Sequence, residues 1–128
     1  MEAIEKVQLA GRLAQEKKAR DVLIVDLKGL TDIADYFLVV SATSERHVLA
    51  LADHVEKALK DASIRPYAVE GYKEGRWVIM DYRSFVIHIF LEQLRELYDL
   101  EGLWMEAKKY RVETENKSIG VGDGERKA

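Results

Sequence analysis

The sequence predicts one α/β domain in which helices flank a mixed five-stranded sheet, with the element order α-β-β-α-β-β-β-α. Two continuous apolar runs are typical of buried strands, a long amphipathic helix follows them, and two further apolar runs meet at a tight turn. The chain has 128 residues, of which 48% are hydrophobic, so it is long and apolar enough to bury one core.

The first half of the chain predicts a helix, two strands and a second helix. Residues 2–18 combine an imperfect apolar stripe with good helix formers. The runs 21–27 and 35–41 are dominated by apolar residues, which indicates strands that are covered on both faces. Ser44 is a suitable N-cap, and apolar residues spaced by four and three follow it as far as residue 62, so a second, amphipathic helix begins here.

The second half predicts three strands and a final helix. A short strand covers residues 67–70, after the only proline of the chain. The runs 76–81 and 84–90 are separated by only two residues, which predicts antiparallel neighbours. Residues 91–98 carry the apolar stripe of a helix, and residues 100–104 continue or cap it.

The composition changes near the carboxyl end of the chain. Residues 109–128 are polar, contain three glycines and offer almost no apolar anchors. A segment of this composition cannot bury enough apolar surface to offset its ordering entropy. We therefore expect a folded domain over residues 1–108 and a disordered polar tail over residues 109–128.

The charge of the chain is unevenly distributed. The net charge is −3, yet residues 21–104 hold nine Lys/Arg and fifteen Asp/Glu, which gives this part a net charge of −6. Because phosphate contacts dominate affinity for nucleic acids, an acidic body predicts no direct, sequence-specific binding of DNA or RNA. It suits a basic partner better, although ordinary solubilising charge explains the same number.

The sequence also limits the compartment. It contains no cysteine, no signal-peptide pattern and no apolar run of membrane-spanning length. We therefore expect a cytoplasmic protein that has no disulfide bonds and does not associate with a membrane.

No catalytic, cofactor-binding or metal-binding residue is predicted. His47 and His54 are seven residues apart, whereas two ligands of one metal ion on a helix face are spaced by four. The Ser-Ala-Thr-Ser turn at 41–44 precedes a helix start, an arrangement that suits phosphate. Phosphoryl transfer there would need paired carboxylates on the next strand, which offers only Glu70. A capped helix and a protein that is not an enzyme are therefore favoured; a nucleotide-binding relic that uses Ser41, Ser44 and His47 is the alternative.

The stretch 76–90 carries the polar and aromatic groups that need explanation. His88 alternates in phase with Val86 and Phe90, which predicts a histidine in the core or in an interface. Trp77 lies near a strand end, where a tryptophan is either a core residue or an interface anchor. Composition alone leaves both possibilities open for it.

Four segments, taken together and in this order, resemble the Iojap-like ribosomal silencing factor family (RsfS). They are DYFLVVSATSERHVLALADHV (35–55), VEG (69–71), WVIMDYRSFVIHIF (77–90) and RELYDLEGLW (95–104). The resemblance covers about residues 3–105. One departure is the Ser-Ala-Thr-Ser turn, because a glycine often follows the first serine in the family.

The resemblance implies a nucleotidyltransferase-like topology without the catalytic carboxylates. It also implies binding to the large ribosomal subunit through its universal protein L-fourteen, on the face where the small subunit docks. Subunit joining would then be blocked and translation reduced when nutrients are short, and a role in large-subunit biogenesis is attributed to the family as well. Members are often homodimers when free.

We place the partner contacts on residues that match the family pattern or lie beside it. In this hypothesis a tryptophan anchors the centre of the interface while acidic residues and a neighbouring tyrosine meet basic side chains. The candidates, for the ribosomal protein or for a second copy of the chain, are Glu70, Trp77, Asp81, Tyr82, His88, Tyr98 and Trp104. The rival interpretation is a generic homodimerisation module in which Trp77 and Trp104 pack between protomers.

Overall fold

The computed structural model describes residues 1–112, which form four helices and six strands. The predicted order α-β-β-α-β-β-β-α is confirmed, and one further helix and one further strand follow it. The elements are α1 (Ala3–Glu16), β1 (Arg20–Asp26), β2 (Tyr36–Ala42), α2 (Glu45–Asp61), β3 (Ala68–Glu70), β4 (Trp77–Asp81), β5 (Phe85–Leu91), α3 (Glu92–Tyr98), α4 (Leu100–Leu103) and β6 (Lys108–Arg111).

The strands form a single mixed sheet in the order β3-β4-β5-β2-β1-β6. The central pair, β2 and β5, is parallel, and the other four pairs are antiparallel. The predicted hairpin of β4 and β5 is confirmed, with Ile79 opposite His88. The mixed α/β class is therefore correct.

The sheet has six strands, and this corrects the predicted five. The additional strand, β6, pairs with β1 and lies inside the segment predicted as a tail. All four of its residues are exposed, so its sequence lacks the apolar pattern that identifies a strand, and backbone hydrogen bonds to β1 hold it in place. The ordered chain thus extends past the boundary predicted at residue 108, while residues 113–128 of the predicted tail lie outside the described residues.

The main core lies between the sheet and the helices α1 and α2, on what we call the first face of the sheet. Alternate residues of β1, β2, β4 and β5 point into it, as do the apolar residues of both helices. The predicted N-cap is confirmed, since the Ser44 hydroxyl accepts a hydrogen bond from the backbone N–H of His47 at 3.0 Å. Val48, Ala52, Val55 and Leu59 of the predicted stripe are buried, whereas Ala62, at its end, is the C-cap of α2 and is exposed.

The second face of the sheet has a smaller core. It consists of the other alternate strand residues, including Phe37, Val86 and Phe90, with Leu94 from α3 and Leu100 from α4 packed against them. Beside these helices a shallow cavity opens between β3, β4 and β5. Among residues 1–112, no helix has the length and apolarity needed to cross a membrane.

A glycine turn fixes the start of β4. Gly71 follows β3 with a backbone φ of 81°, a region that L side chains rarely adopt. A Cβ atom at this position would collide with the carbonyl oxygen of Trp77. The turn therefore brings the backbone of residue 71 directly against the first residue of β4, which only glycine allows.

We expect Gly71→Ala to lower the free energy of unfolding by more than 2 kcal/mol, because left-handed strain of about 1–2 kcal/mol adds to a backbone collision. Gly29→Ala is the matched control, since Gly29 has a φ of 82° but nothing within 4 Å of its added Cβ. Gly29→Ala should show the strain alone. Urea denaturation of both variants tests this, and equal losses of stability would contradict the collision.

Candidate docking surface

The open part of the second face is formed by β3, β4 and β5. Strand alternation places Trp77, Ile79 and Asp81 of β4 on this face. The register sets Ile79 opposite His88 of β5, and Glu70 of β3 opposite Ile79. Four of these residues, Glu70, Trp77, Asp81 and His88, were singled out from the sequence, and the sheet brings them together. We call the set Glu70, Trp77, Ile79, Asp81 and His88, together with Ile33 and Tyr98 at its border, the docking surface.

An aromatic cluster forms one half of the docking surface. The Trp77 ring stacks on Phe90, with centroids 4.7 Å apart, and lies 4.9 Å from the ring of Tyr98. Trp77 is only partly buried, and Tyr98 remains 52% exposed. The tryptophan therefore lies along the sheet rather than projecting from it, and offers a broad aromatic surface beside the open strands.

His88 joins the aromatic cluster to the sheet. Its Nδ1 accepts a hydrogen bond from the Trp77 indole N–H at 3.2 Å, and its ring meets Phe37 edge-on at 4.5 Å. The side chain is 6% exposed, and this burial lowers the pKa of His88 to about 4. The ring is thus neutral at pH 7 and carries its proton on Nε2, which has no hydrogen-bond partner among residues 1–112.

A shallow apolar cavity of about 220 Å³ forms the other half of the docking surface. Five of its eight lining residues are apolar, namely Ile33, Phe37, Ala68, Ile79 and Val86, and Ile33 is 65% exposed. Two carboxylates border it, from Glu70 and from Asp81. Such a combination of aliphatic floor and acidic border matches a partner side chain with an apolar stem and a cationic head.

A buried arginine holds the helices that bound the docking surface. Arg95 of α3 is 8% exposed, and its guanidinium pairs with both carboxylate oxygens of Glu101 in α4, at 3.2 and 3.0 Å. Its Nη1 also donates to the Ser41 hydroxyl of β2 at 2.8 Å and to the Asp21 carbonyl of β1 at 2.7 Å. The fork of Arg95 therefore fixes α3 and α4, and with them Tyr98 and Trp104, on the second face.

Most of the residues predicted to bind a partner lie together. Glu70, Trp77, Asp81, His88 and Tyr98 share the docking surface. Trp104 lies next to it, with its ring 6.3 Å from that of Phe37 and perpendicular to it. Whether these side chains contact a partner stays a prediction.

Tyr82 is not part of the docking surface, and its inclusion among the contact residues is corrected. It is 7% exposed and belongs to the main core, where its ring stacks on Phe85 at 4.8 Å. Burial raises the pKa of its hydroxyl above the ordinary value. The alternation of β4 extends through the turn, so Tyr82 follows Val78 and Met80 onto the first face, a signal that the sequence contained.

The sequence did not identify two aliphatic residues of the docking surface. Ile79 lies in phase with Trp77 and Asp81, so strand alternation was sufficient to find it. Ile33 lies in the loop before β2 and reaches the cavity only in the tertiary structure, where no periodic pattern indicates it. Both supply apolar contact area.

The side chains of the supposed phosphate turn form hydrogen bonds within the domain. The Ser41 hydroxyl accepts from Arg95, and the Ser44 hydroxyl caps α2. His47 Nδ1 accepts from the backbone N–H of Thr43 at 3.0 Å, and its Nε2 lies 2.7 Å from the carbonyl of Lys17. Among residues 1–112, no group of three or more His, Asp or Glu side chains is arranged to hold a metal ion.

Fold and surface together define a small α/β domain that leaves part of one sheet face open beside an aromatic cluster. A family model described as ribosomal silencing factor during starvation, RsfS, matches residues 1–127. The chain belongs to this family of ribosome-associated regulators.

Known proteins agree with this assignment. A curated ribosomal silencing factor RsfS of Halalkalibacterium halodurans is 37% identical over 109 residues, which cover 85% of this chain and 93% of the relative. The mouse protein named mitochondrial assembly of ribosomal large subunit protein 1 is 36% identical over 95 residues, or 72% of this chain and 42% of that protein. A crystal structure from Chromobacterium violaceum superposes with a TM-score of 0.80 at 32% identity and covers 95% of each chain.

We expect Arg95→Met to lower the free energy of unfolding by about 3 kcal/mol, because the substitution leaves the partly buried Glu101 carboxylate without its partner. The exposed pair of Arg20 with Glu92 supplies the control, and Arg20→Met should lose less than about 1 kcal/mol. Urea denaturation at pH 7 measures both variants. If both variants lost the same free energy of unfolding, the Arg95–Glu101 pair would stabilise the fold no more than an exposed surface pair does.

We expect the neutral state of His88 to make folding pH-dependent. Its folded pKa, about 4, lies below the unfolded value of about 6.5, so the unfolded chain takes up the proton first. This contribution, about 3 kcal/mol, is fully present above pH 6.5 and is lost as the pH falls from 6.5 to 4. The free energy of unfolding of the wild type minus that of His88→Phe, measured by urea denaturation, should fall by that amount between pH 6.5 and pH 4. A difference that stays constant over this range would contradict the burial of a neutral ring.

Proposed function

We propose that this protein binds the large ribosomal subunit through its universal protein L-fourteen and thereby prevents the small subunit from joining. Membership in the RsfS family supports a role at the ribosome. The docking surface supports recognition of a basic protein, because it borders an apolar cavity with Glu70 and Asp81 on an acidic body. The effect in this proposal is steric, and it lowers translation when nutrients are short.

The observation that carries the proposal is the uncovered part of the second face. The apolar cavity on this face is open, and Ile33 at its border is 65% exposed; Trp77 and Tyr98, in the aromatic half of the docking surface, are only partly covered. Tryptophan and tyrosine are enriched among the residues that dominate binding energy. An acidic border around such a patch raises the association rate with a basic surface.

We propose a second role in large-subunit biogenesis on the same contact. The name of the mouse relative, which refers to assembly of the mitochondrial ribosomal large subunit, supports this. A factor that occupies the joining face would also shield an unfinished large subunit from premature joining. The action is that of a cytoplasmic binding protein without cofactor, and the internal hydrogen bonds of Ser41, Ser44 and His47 favour it over nucleotide chemistry.

We also propose that the free protein forms a homodimer through surface that overlaps the docking surface. Exposed apolar side chains in α3, in α4 and just after α4 favour self-association: Leu97 is 73%, Leu103 is 74% and Met105 is 81% exposed. If both contacts use Trp77 and its neighbours, the dimer and the ribosome complex exclude each other. Excess large subunit should then convert dimers into monomers on the ribosome, which sedimentation of a labelled chain detects.

Co-sedimentation with isolated large subunits is the direct test of the proposed function. The protein should pellet with large subunits, remain unbound with small subunits, and reduce the formation of whole ribosomes when both subunits are mixed. Binding that leaves subunit joining unchanged would refute the steric mechanism. Absence of binding would refute the proposed function itself.

We expect Trp77→Ala to weaken binding to large subunits about thirtyfold, because removal of a central aromatic anchor costs about 2 kcal/mol. Tyr72→Ala is the control, since Tyr72 is 43% exposed but bonds to Asp53 of α2, away from the docking surface. The control should bind as the wild type does. Circular dichroism must show both variants folded, and an unchanged affinity of folded Trp77→Ala would remove Trp77 from the interface.

A further inference from the structure

The strand order gives the domain two edges of opposite chemistry. The edge strand β3 carries Glu70 of the docking surface, and the opposite edge strand is β6. Five strand spacings of about 4.8 Å separate the two edges, which places them roughly 24 Å apart. The second edge reads Lys108-Lys109-Tyr110-Arg111, so three of its four residues are cations in a domain that is acidic overall.

A cleft between α1 and β6 extends this basic edge. It is lined by Gln8 and Arg12 of α1, Ile24 of β1, Tyr110 and Arg111 of β6, and Val112. Arg12 and Tyr110 are exposed, and Tyr110 retains 47% of its surface. Two guanidinium groups thus lie beside one accessible aromatic ring.

The cations of the edge are held in place without being neutralised. Gln15 of α1 donates to the carbonyl of Val112 at 2.6 Å, and Lys109 Nζ donates to the carbonyl of Trp104 at 2.7 Å, which ties β6 at both ends. Within residues 1–112, neither Arg12 nor Lys108 has a carboxylate within 4.0 Å.

The acidic groups nearby do not cancel this charge. Arg111 approaches Asp21 at 3.6 Å, but both side chains are more than half exposed, so the pair contributes little and can exchange for another anion. Asp26 lies opposite Lys108 across the β1–β6 pair, and its Oδ1 accepts from the backbone N–H of Lys28 at 3.0 Å. A local excess of positive charge remains at Arg12, Lys108 and Lys109.

We propose that this edge binds the phosphate backbone of RNA in the large subunit, with a nucleobase stacked on Tyr110 and phosphates held by Arg12, Lys108 and Arg111. A guanidinium fork binds phosphate oxygens in a bidentate manner, and an aromatic ring accepts any base face. The contact reads no sequence. It rests on the proposed function, because the ribosome supplies the RNA.

RNA fits this edge better than an acidic protein does. Protein interfaces need a desolvated apolar centre, and apart from Tyr110 the exposed residues of the edge are charged. Single-stranded and looped RNA instead presents regularly spaced phosphates with bases that can be splayed out, which matches a ring between cations. The two edges would then orient the protein, with the acidic edge on a basic protein and the basic edge on RNA.

The salt dependence of binding to isolated large subunits tests this contact. Each phosphate contact contributes about 0.7–0.9 to the slope of log affinity against log salt, so Arg12→Gln and Lys108→Gln should each lower the slope by about 1. Lys57→Gln, on the exposed side of α2, is the control and should keep the wild-type slope. Tyr110→Ala should weaken binding about tenfold while leaving the slope unchanged, because stacking releases no counterions.

The outcomes separate this inference from the proposed function. If the wild type binds large subunits and Arg12→Gln and Lys108→Gln behave as Lys57→Gln does, the inference is overturned, and the lysines only protect an edge strand from pairing. If these variants change the self-association of the free protein but not its binding to subunits, the inference is likewise overturned in favour of a contact between copies.

If the wild type itself does not bind large subunits, the proposed function is refuted. The RNA contact is then tested directly, by measuring binding of the protein to free RNA. Fluorescence anisotropy with a labelled RNA hairpin supplies this measurement, with wild type and Arg12→Gln/Lys108→Gln compared at low salt. Weaker binding by the double variant supports the contact. Equal binding, or none by either protein, overturns it.

Discussion

The second face of the sheet depends on one buried guanidinium. Arg95 links a carbonyl of β1, a hydroxyl of β2 and the carboxylate of Glu101 in α4, and so fastens two short helices to the sheet. Helices of seven and four residues have little stability of their own, because nucleation is unfavourable and few turns follow it. Together with the packing of Leu94 and Leu100 against the second face, this anchor holds Tyr98 against Trp77 and so shapes the aromatic half of the docking surface.

The two faces of the sheet are covered to different extents. On the first face, α1 and α2 cover the apolar residues of four strands and form one continuous core with them. On the second face, coverage stops beside the aromatic cluster, where Nε2 of His88 has no hydrogen-bond partner among residues 1–112; the buried Tyr82 hydroxyl in the main core lacks one as well. The open part of the second face carries Trp77, Ile79 and the acidic border.

Charge is unevenly distributed over the domain, with a basic edge strand on an acidic body. Residues 21–104 carry a net charge of −6, whereas the strand that follows them, β6, places three cations at the far edge of the sheet. A ribosomal subunit presents both basic proteins and phosphate, so a particle with one edge of each sign has a preferred orientation before any close contact forms. The two proposed contacts use edges that are roughly 24 Å apart. Sites this far apart act independently, so each contact constrains the orientation of the domain separately.

The sequence by itself determined the α/β class, the element order through α3 and the capped amphipathic helix α2, because these depend on local periodicity and capping. Alternation also set the phase of His88, and the same rule applied to β4 places Trp77 with Asp81 and assigns Tyr82 to the core. Only the tertiary structure added β6, whose exposed residues show no apolar period because backbone pairing alone fixes an edge strand. Only the tertiary structure also brings α1 next to the end of the described chain, where Gln15 donates to the carbonyl of Val112, 97 residues away. No local sequence pattern indicates this contact, because long-range packing creates it.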